Sequence, residues 1–396
     1  MAAREAGKRR TRLTLPVPAE AVVDPRLGAR GPALMALEDG TVFPGVAFGA
    51  AVAAGGDLVA NTSQTGYQEV CTDPSYAGQV VVMTYPLIGN YGRLEGDDQS
   101  ARPWLRALVV AHATAGVMGR ARQLAHLLRE NGVPGIAGVD TRAVARRLRE
   151  TGAQRAIVTA PGEIDPDAAV AAARAVPRWE DQDFVEDVSA LDPFEVPPTS
   201  TTADGSTPLV AVVDYGLKHN IVAALAARGA RVRVMPHTST AAQVLSHDVA
   251  GVVLSPGPGD PARLPGPVAL AEAILVARRP LLGICLGHQI VGLAAGGRTT
   301  RLRFGHHGAN HPVQDIDTGR VQVTAQNHEV QVLGDSLPAD GGFYVSQRNL
   351  NDGSAEGLRH RTWPVETVQY HPEGSPGPLD ALEVFDRFMA ACRAAR

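Results

Sequence analysis

The sequence predicts an α/β protein with two domains, a C-terminal doubly wound, mostly parallel sheet and a smaller N-terminal β-rich α/β domain. Apolar runs at residues 208–213, 231–235 and 251–254 alternate with segments of helical length, which is typical of parallel βαβ units. A stretch rich in Pro, Ser, Thr and Gly precedes them and indicates an interdomain linker. The 396 residues are enough to give each domain its own core.

Composition and charge exclude several classes of function. The formal net charge is −4, so neither nucleic acid nor a membrane surface is expected as a partner. The three cysteines, at positions 71, 285 and 392, are few and widely separated. A disulfide framework is therefore not expected, and a reducing cytoplasm is the predicted setting. No apolar stretch in the sequence is long enough to span a bilayer.

The chain divides into four predicted segments. The N-terminal segment is basic but lacks the apolar core of a secretory signal, so it is interpreted as a disordered tail, with a transit peptide as the alternative. Within the first domain, residues 33–43 predict a hairpin around the Asp39-Gly40 turn. The boundaries are 1–31 for the tail, 32–187 for the N-terminal domain, 188–207 for the linker and 208–396 for the C-terminal domain.

The segment LLGICLGH at residues 281–288 has the pattern of a nucleophile elbow. A short apolar strand leads directly to Cys285, and a segment of helical length follows. Gly283 and Gly287 flank the cysteine, where larger side chains would crowd the turn. The partial positive charge of the helix N-terminus would favour a thiolate. Taken alone, the pattern also fits a buried and inert cysteine, which is the more common situation.

A candidate base and its orienting carboxylate lie near the C-terminus. His371 and Glu373 are two residues apart, so they share one face of an extended segment, which Pro372 keeps out of helical conformation. A thiol nucleophile needs an imidazole to accept its proton, and the imidazole needs a group that fixes its tautomer. We therefore predict that Cys285, His371 and Glu373 form a catalytic triad.

These motifs carry a family resemblance. GICLGHQ together with HPE resembles the class I (triad) glutamine amidotransferases. The blocks NTSQTGYQEVCTDPSYAGQVVVMTYPLIGNYG and IAGVDTRAVARRLRETGAQ are similar to the small subunit of carbamoyl-phosphate synthetase, and the resemblance extends from end to end. It implies a glutaminase in which Cys285 attacks the side-chain amide of glutamine while His371, oriented by Glu373, transfers the proton.

The resemblance also implies a partner. This chain contains no GxxxxGK[ST] phosphate-binding motif, so no cofactor is expected on it. ATP and Mg²⁺ are expected on a separate large subunit, which would form a heterodimer with this chain and make carbamoyl phosphate from bicarbonate and ammonia. That product would serve arginine and pyrimidine biosynthesis.

The glutamine contacts are likewise implied by the resemblance. The backbone N–H groups of Gly257 and Leu286 would stabilise the oxyanion, while Gly259 and Gln289 would hold the rest of the substrate. Ser63 would reach the glutamine from across the domain interface. The full set of expected substrate-binding residues is Ser63, Gly257, Gly259, Leu286, Gln289, Asn327, Glu329 and Val330.

Two features leave alternatives open. Glu329 and Val330 stand where the family has glycine and an aromatic residue, and Gln347 stands where it usually has histidine. The alternatives are an amidotransferase subunit of another synthetase and a non-catalytic paralogue that acts as a regulatory subunit.

Three histidines at residues 304–313 suggest a metal site, but the run matches a family loop that is not one. No metal is therefore expected there.

Overall fold

The computed structural model describes residues 19–94, 96–116, 123–202 and 205–395. The N-terminal domain combines nine strands with six short helices among these residues. Its strands are β1 Pro32–Leu37, β2 Val42–Gly49, β3 Ala54–Asn61, β4 Gln79–Met83, β5 Leu87–Ile88, β6 Ala107–Val109, β7 His112–Ala113, β8 Pro134–Ala137 and β9 Gln154–Val158. Its helices are α1 Ala19–Val22, α2 Tyr67–Thr72, α3 Leu124–Glu130, α4 Thr141–Thr151, α5 Pro166–Ala175 and α6 Val185–Val188.

Seven of these strands close into a barrel in the order β1-β2-β8-β6-β4-β3-β9, with β9 pairing back onto β1. The predicted hairpin is confirmed, since β1 and β2 pair antiparallel with Met35 opposite Phe43. Small and branched apolar side chains fill the barrel, among them Val80, Val82 and Ile136, which are fully buried. The barrel leaves no open edge, as expected for a closed sheet of this kind.

The C-terminal domain is built on one sheet of ten strands. Its strands are β10 Phe194–Val196, β11 Leu209–Asp214, β12 Arg231–Pro236, β13 Val249–Leu254, β14 Leu281–Ile284, β15 Arg298–Asp315, β16 Val321–Leu333, β17 Phe343–Asn349, β18 Ala355–His360 and β19 Val365–Val368. Its helices are α7 His219–Ala226, α8 Ala241–Val244, α9 Pro265–Ala277, α10 Leu286–Ala294 and α11 Glu383–Ala394. Within the described ranges, no helix has the length and apolarity that a bilayer crossing requires.

The sheet has a parallel half and an antiparallel half. Strands β12, β11, β13, β14 and β19 run parallel, while β10 at one edge and β18, β17, β15 and β16 at the other pair antiparallel. Helices α9 and α10 pack on one face of the parallel half, and α7 and α11 pack on the opposite face. The predicted doubly wound arrangement is therefore confirmed, and an antiparallel extension is added to it.

Two predicted boundaries need correction. Residues 1–18 of the predicted tail lie outside the described residues, but Val22, Val23 and Leu27 are buried against the barrel, because the segment that follows the basic residues is apolar. The predicted linker is also partly regular. Its residues 194–196 form β10, which pairs with β12, and Glu195 forms an ion pair with Arg233.

The hairpin of β15 and β16 joins the two domains. The backbone N–H of Thr62 donates to the carbonyl of His307 at 3.1 Å. The N–H of Ala153 donates to the carbonyl of Arg303 at 2.8 Å. Arg301 forms an ion pair with the barrel residue Asp57. These contacts hold the N-terminal domain over the carboxyl edge of the parallel strands, which is where ligands bind in sheets of this type.

Candidate active site

The predicted nucleophile elbow is confirmed. Strand β14 ends at Ile284, and α10 begins at Leu286. Cys285 alone makes the turn, with φ 52° and ψ −104°, a strained conformation that costs about 1–3 kcal/mol. A Cβ on Gly283 would lie 2.8 Å from the carbonyl oxygen of Gly287, and a Cβ on Gly287 would overlap the carbonyl oxygen of Leu254. Both glycines are therefore required for the turn to close.

His371 and Glu373 lie together beside the cysteine. The Nδ1–H of His371 donates to Glu373 Oε1 at 2.9 Å, because an ionised carboxylate can only accept. The backbone N–H of His371 donates to the carbonyl of Ala325 at 2.9 Å, which fixes the segment against β16. The Nε2 atom of His371 is buried and makes no hydrogen bond of ordinary geometry to the described residues. It is nevertheless close enough to Cys285 for that thiol to raise the pKa of His371.

Lys218 is a further member of this cluster, and the sequence analysis did not identify it. Its side chain is buried, and Nζ lies 2.9 Å from both Glu373 Oε1 and the carbonyl oxygen of Gly374. Lys218 follows the first parallel strand and precedes an apolar helix. The available signal was a lysine between an apolar strand and an apolar helix. A lysine buried there would need an acidic partner, because an unpaired lysine is almost never fully buried. The ammonium group holds the triad carboxylate in place and in its ionised form.

The electrostatics follow from these contacts. Burial raises the pKa of Glu373, but Lys218 and His371 together lower it to about 2. Burial and Lys218 lower the pKa of His371, but Glu373 and Cys285 raise it, and the net result is about 10. His371 is therefore in the cationic form at neutral pH, with Glu373 ionised beside it.

Replacing His371 with asparagine is expected to lower the free energy of unfolding. The size of the loss should depend on pH, because the pKa of His371 is raised in the folded state. The raised pKa stabilises the folded wild-type protein fully below about pH 6.5, and that contribution disappears as the pH rises towards 10. The difference in the free energy of unfolding between wild type and His371→Asn should therefore be largest near pH 6 and shrink at alkaline pH. Urea unfolding at several pH values measures it, and a difference that grows with pH would contradict the assignment.

The predicted glutamine contacts lie around two small cavities. Gly257, Gly259, Gln289, Asn327, Glu329 and Val330 line a cavity of about 10 Å³ together with Cys285. Ser63 lines a neighbouring cavity of about 20 Å³ with Lys218 and His371, and Asn327 lies between the two. Leu286 is the first residue of α10, so its N–H has no partner within the helix. The structure thus brings these residues together, and their roles in binding remain predictions.

The cavity at Cys285 is shaped by close backbone contacts. A Cβ on Gly257 would overlap the carbonyl oxygen of Tyr215, so only glycine allows this approach. Gln289 Nε2 donates to the carbonyl of Val330 at 2.7 Å and to Gln369 Oε1 at 3.1 Å. These contacts fix one wall of the cavity, which Cys285 also lines.

Comparisons with known proteins cover both domains. Residues 211–391 match the family described as glutamine amidotransferase class-I. Residues 35–158 match the family described as carbamoyl-phosphate synthase small chain, CPSase domain. A carbamoyl phosphate synthase small chain from Symbiobacterium thermophilum is 45% identical over 360 residues, which cover 89% of this chain and 97% of the relative. One from Aquifex aeolicus is 43% identical over 369 residues, which cover 91% and 98%.

This chain belongs to the carbamoyl-phosphate synthase small-chain family. The match of the N-terminal domain decides this, since the amidotransferase domain alone would not distinguish the small chains from other class I enzymes. The end-to-end resemblance predicted from the sequence is confirmed. The identities of 43 to 45% extend over nine-tenths of the chain, so both domains and the connection between them are shared with the small-chain family.

Glu329, which by the resemblance stands where the family has glycine, is held in a buried polar cluster. Its carboxylate lies 2.8 Å from His307 Nε2 and 3.4 Å from Arg301 Nη2. Burial raises the pKa of Glu329, but His307 and Arg301 lower it below its usual range. His307 Nδ1 is in turn 2.9 Å from Asn327 Oδ1. The wall of the cavity therefore contains an ionised carboxylate, and that carboxylate is paired with Arg301 and hydrogen-bonded to His307.

Val330 and Gln347, the other two residues that the sequence analysis contrasted with the family, lie in different surroundings. Val330 packs with Trp179 and Phe184 in a small apolar cluster at the domain interface. Gln347 is buried in β17 but lines neither cavity, and its side chain approaches Tyr370. Gln347 therefore affects the packing behind the triad rather than the cavity walls.

His306 and His307, in the loop where three histidines suggested a metal site, are hydrogen-bonded. His306 contacts Gln326 Oε1 at 2.9 Å and Asp352 Oδ2 at 2.8 Å. Among the described residues, His306, His328 and Glu356 are close enough together to hold a metal ion. Both ring nitrogens of His328 already contact protein oxygens, the carbonyl of Val330 at 2.9 Å and Gln326 at 3.0 Å. Their arrangement fits a hydrogen-bonded structural cluster.

Proposed function

We propose that this chain is the glutaminase subunit of carbamoyl-phosphate synthetase. The observation that supports the proposal is the convergence of Cys285, His371 and Glu373 at the carboxyl edge of the parallel strands. They lie beside a cavity that the N-terminal domain of the same family closes. A sulfur nucleophile, an imidazole and an orienting carboxylate are the three groups that amide cleavage through a thioester needs.

In the proposed mechanism His371 Nε2 holds the proton taken from the thiol of Cys285, and the sulfur attacks the side-chain amide carbon of glutamine. The N–H groups of Gly257 and Leu286 stabilise the resulting oxyanion. The carbon–nitrogen bond then breaks, and the proton on His371 goes to the departing ammonia. Water attacks the thioester, which releases glutamate and restores the thiol. Lys218 and Glu373 keep the imidazole in position throughout.

The ammonia is proposed to pass to a large subunit that this chain does not contain. The sequence has no phosphate-binding loop of the GxxxxGK[ST] type, which supports placing ATP and Mg²⁺ on the partner. The partner would convert bicarbonate and ammonia to carbamoyl phosphate, for arginine and pyrimidine synthesis in the cytoplasm. The amidotransferase subunit of another synthetase is disfavoured by the match of residues 35–158.

Trapping the thioester tests the proposal directly. The full chain, together with a carbamoyl-phosphate synthase large chain, is mixed with glutamine, quenched in acid and digested. Mass spectrometry should find a γ-glutamyl group on the peptide that contains Cys285 and none on the peptides of Cys71 and Cys392. A regulatory paralogue would form no adduct. If no γ-glutamyl adduct is found under turnover conditions, the proposal is overturned. If the adduct forms without carbamoyl phosphate, the subunit serves another synthetase.

A further inference from the structure

Gln369 is a further side chain in contact with the sulfur of Cys285. Its Nε2 atom lies 3.7 Å from Sγ, and the residue is fully buried. Gln369 directly follows β19, and the pairing of β19 with β14 places Val368 beside Ile284. The next residues along these two strands are Gln369 and Cys285. The parallel register itself therefore brings the amide to the nucleophile.

The segment that carries Gln369 also carries the candidate base. Gln369 and His371 are two residues apart, and alternate residues of an extended segment lie on the same face. His371 is close to the sulfur of Cys285 as well, while Tyr370 between the two is buried in an apolar cluster. One short stretch of chain thus directs two polar side chains to the same atom.

The orientation of the Gln369 amide follows from its neighbours. Gln289 Nε2 lies 2.7 Å from the carbonyl oxygen of Val330, and a backbone carbonyl can only accept, so this atom must be the nitrogen. The second hydrogen of that nitrogen is directed to Gln369 Oε1 at 3.1 Å. The oxygen of the Gln369 amide therefore faces Gln289, and its nitrogen faces the sulfur as a donor.

The sulfur lies between this donor and one acceptor. Sγ of Cys285 is 3.6 Å from the carbonyl oxygen of Asn327, and only a protonated thiol can donate in that contact. Gln369 can donate to the thiol or to the thiolate. A hydrogen bond to a charged acceptor is about twice as strong as one between neutral groups. Deprotonation therefore removes the bond to Asn327 and strengthens the bond from Gln369.

We propose that Gln369 donates a hydrogen bond from Nε2 to the thiolate of Cys285 and thereby stabilises the nucleophile in its reactive form. The inference rests on the proposed glutaminase function and deepens it. His371 holds the proton, and Gln369 stabilises the negative charge that remains on the sulfur. Gln289 acts through Gln369, because its hydrogen bond to Oε1 keeps the amide nitrogen turned towards Cys285.

A titration of the full chain observes the thiolate without substrate. Thiolates absorb in the ultraviolet, and subtracting the titration of the same chain with Cys285→Ala isolates the signal of this sulfur. Gln369→Met keeps the approximate length and volume of the side chain but removes its donor. The thiolate signal of Gln369→Met should appear at a higher pH than that of the wild type, by roughly one to two pH units.

The other ionisable groups near the sulfur are the same in both proteins. Those nearest to it in the described part of the chain are His371, Tyr76, Glu329 and His328. Glu373 and Lys218 lie behind His371. Because wild type and Gln369→Met share all six groups, a difference between the two titrations reports the loss of the amide.

Glutaminase kinetics of the full chain with the large chain separate this role from substrate binding. On the acidic side of the pH profile, kcat of Gln369→Met should fall roughly 3- to 10-fold, because the thiolate fraction falls by more than the nucleophilicity rises. KM for glutamine should change little. If the substitution acted only by releasing Gln289, KM would rise and the thiolate titration would stay in place, and the proposal would be overturned.

A second buried glutamine provides the matched control. Gln347 is also buried, but it does not line the cavity at Cys285. Gln347→Met should therefore leave the thiolate titration where the wild type has it. Equal shifts in Gln369→Met and Gln347→Met would overturn the proposal, because packing rather than the donor would then control the thiolate. Gln369→Leu, which also lacks a donor, replaces Gln369→Met in these tests if the latter does not fold.

This inference and the glutaminase assignment can fail independently. If the wild-type complex hydrolyses no glutamine, the proposed function fails. The titration then still tests the contact of Gln369 with Cys285, because it needs neither substrate nor the large chain. If the thiolate signals of wild type and Gln369→Met coincide while the wild-type complex hydrolyses glutamine, only the role of Gln369 is overturned.

Discussion

Replacing Cys285 with alanine is expected to abolish glutamine-dependent synthesis of carbamoyl phosphate while ammonia-dependent synthesis by the complex continues. The substitution removes the only atom that can form the thioester, so the glutamine-dependent rate should fall by a factor of at least about 10³. Ammonia-dependent synthesis does not use Cys285, because free ammonia enters the reaction after the glutaminase step. Both rates can be measured on the same preparation of the complex.

A matched variant separates chemistry from folding. Cys71 is also a buried free cysteine, but it packs in the core of the N-terminal domain. Cys71→Ala removes a thiol of the same kind and should retain glutamine-dependent synthesis. If Cys285→Ala lost both rates in a complex that still assembles, the assignment of Cys285 as the nucleophile would be untenable.

Replacing Gly287 with alanine is expected to damage both stability and glutaminase activity. An added Cβ would overlap the carbonyl group of Leu254, and both partners are backbone, so neither can rotate away. We expect the free energy of unfolding to fall by about 1–3 kcal/mol. Moving α10 away from β13 would also displace Cys285, and a shift of about 1 Å can cost roughly 10²-fold in kcat. Urea unfolding and glutaminase kinetics measure the two effects.

The control for this prediction is Gly266, near the start of α9. No heavy atom lies within 4 Å of a Cβ built on Gly266, and its φ is not in the positive range. Gly266→Ala should leave activity intact and stabilise the helix by up to about 1 kcal/mol. If Gly287→Ala were as stable and as active as Gly266→Ala, the close packing of the elbow would not be what positions Cys285.

The parts of the site that could be predicted are those with local patterns. The elbow was predictable because Gly283, Cys285 and Gly287 are adjacent in sequence to a strand and a helix. The pairing of His371 with Glu373 was predictable because a spacing of two in an extended segment places both on one face. The parallel half of the sheet was predictable because the alternation of strands and helices is also a local pattern in the sequence.

The parts that escaped prediction depend on contacts between distant segments. Lys218 reaches Glu373 across 155 positions of sequence, and no spacing rule connects them. Arg301 meets Asp57 only because the β15–β16 hairpin extends to the barrel. Strand β10 was not predicted, because a Pro- and Ser-rich sequence normally indicates a linker. Its pairing with β12 depends instead on an open edge of the sheet.

The ion pairs of Arg301 have a consequence for how this chain could change in evolution. Arg301 and Glu329 belong to one domain, whereas Asp57 and Glu180 belong to the other. Separating the halves by gene fission, or grafting the amidotransferase portion onto another host, would expose this cluster to water. Drift at any one of the four positions would favour compensating changes in the others. The two halves are therefore expected to be inherited as a unit.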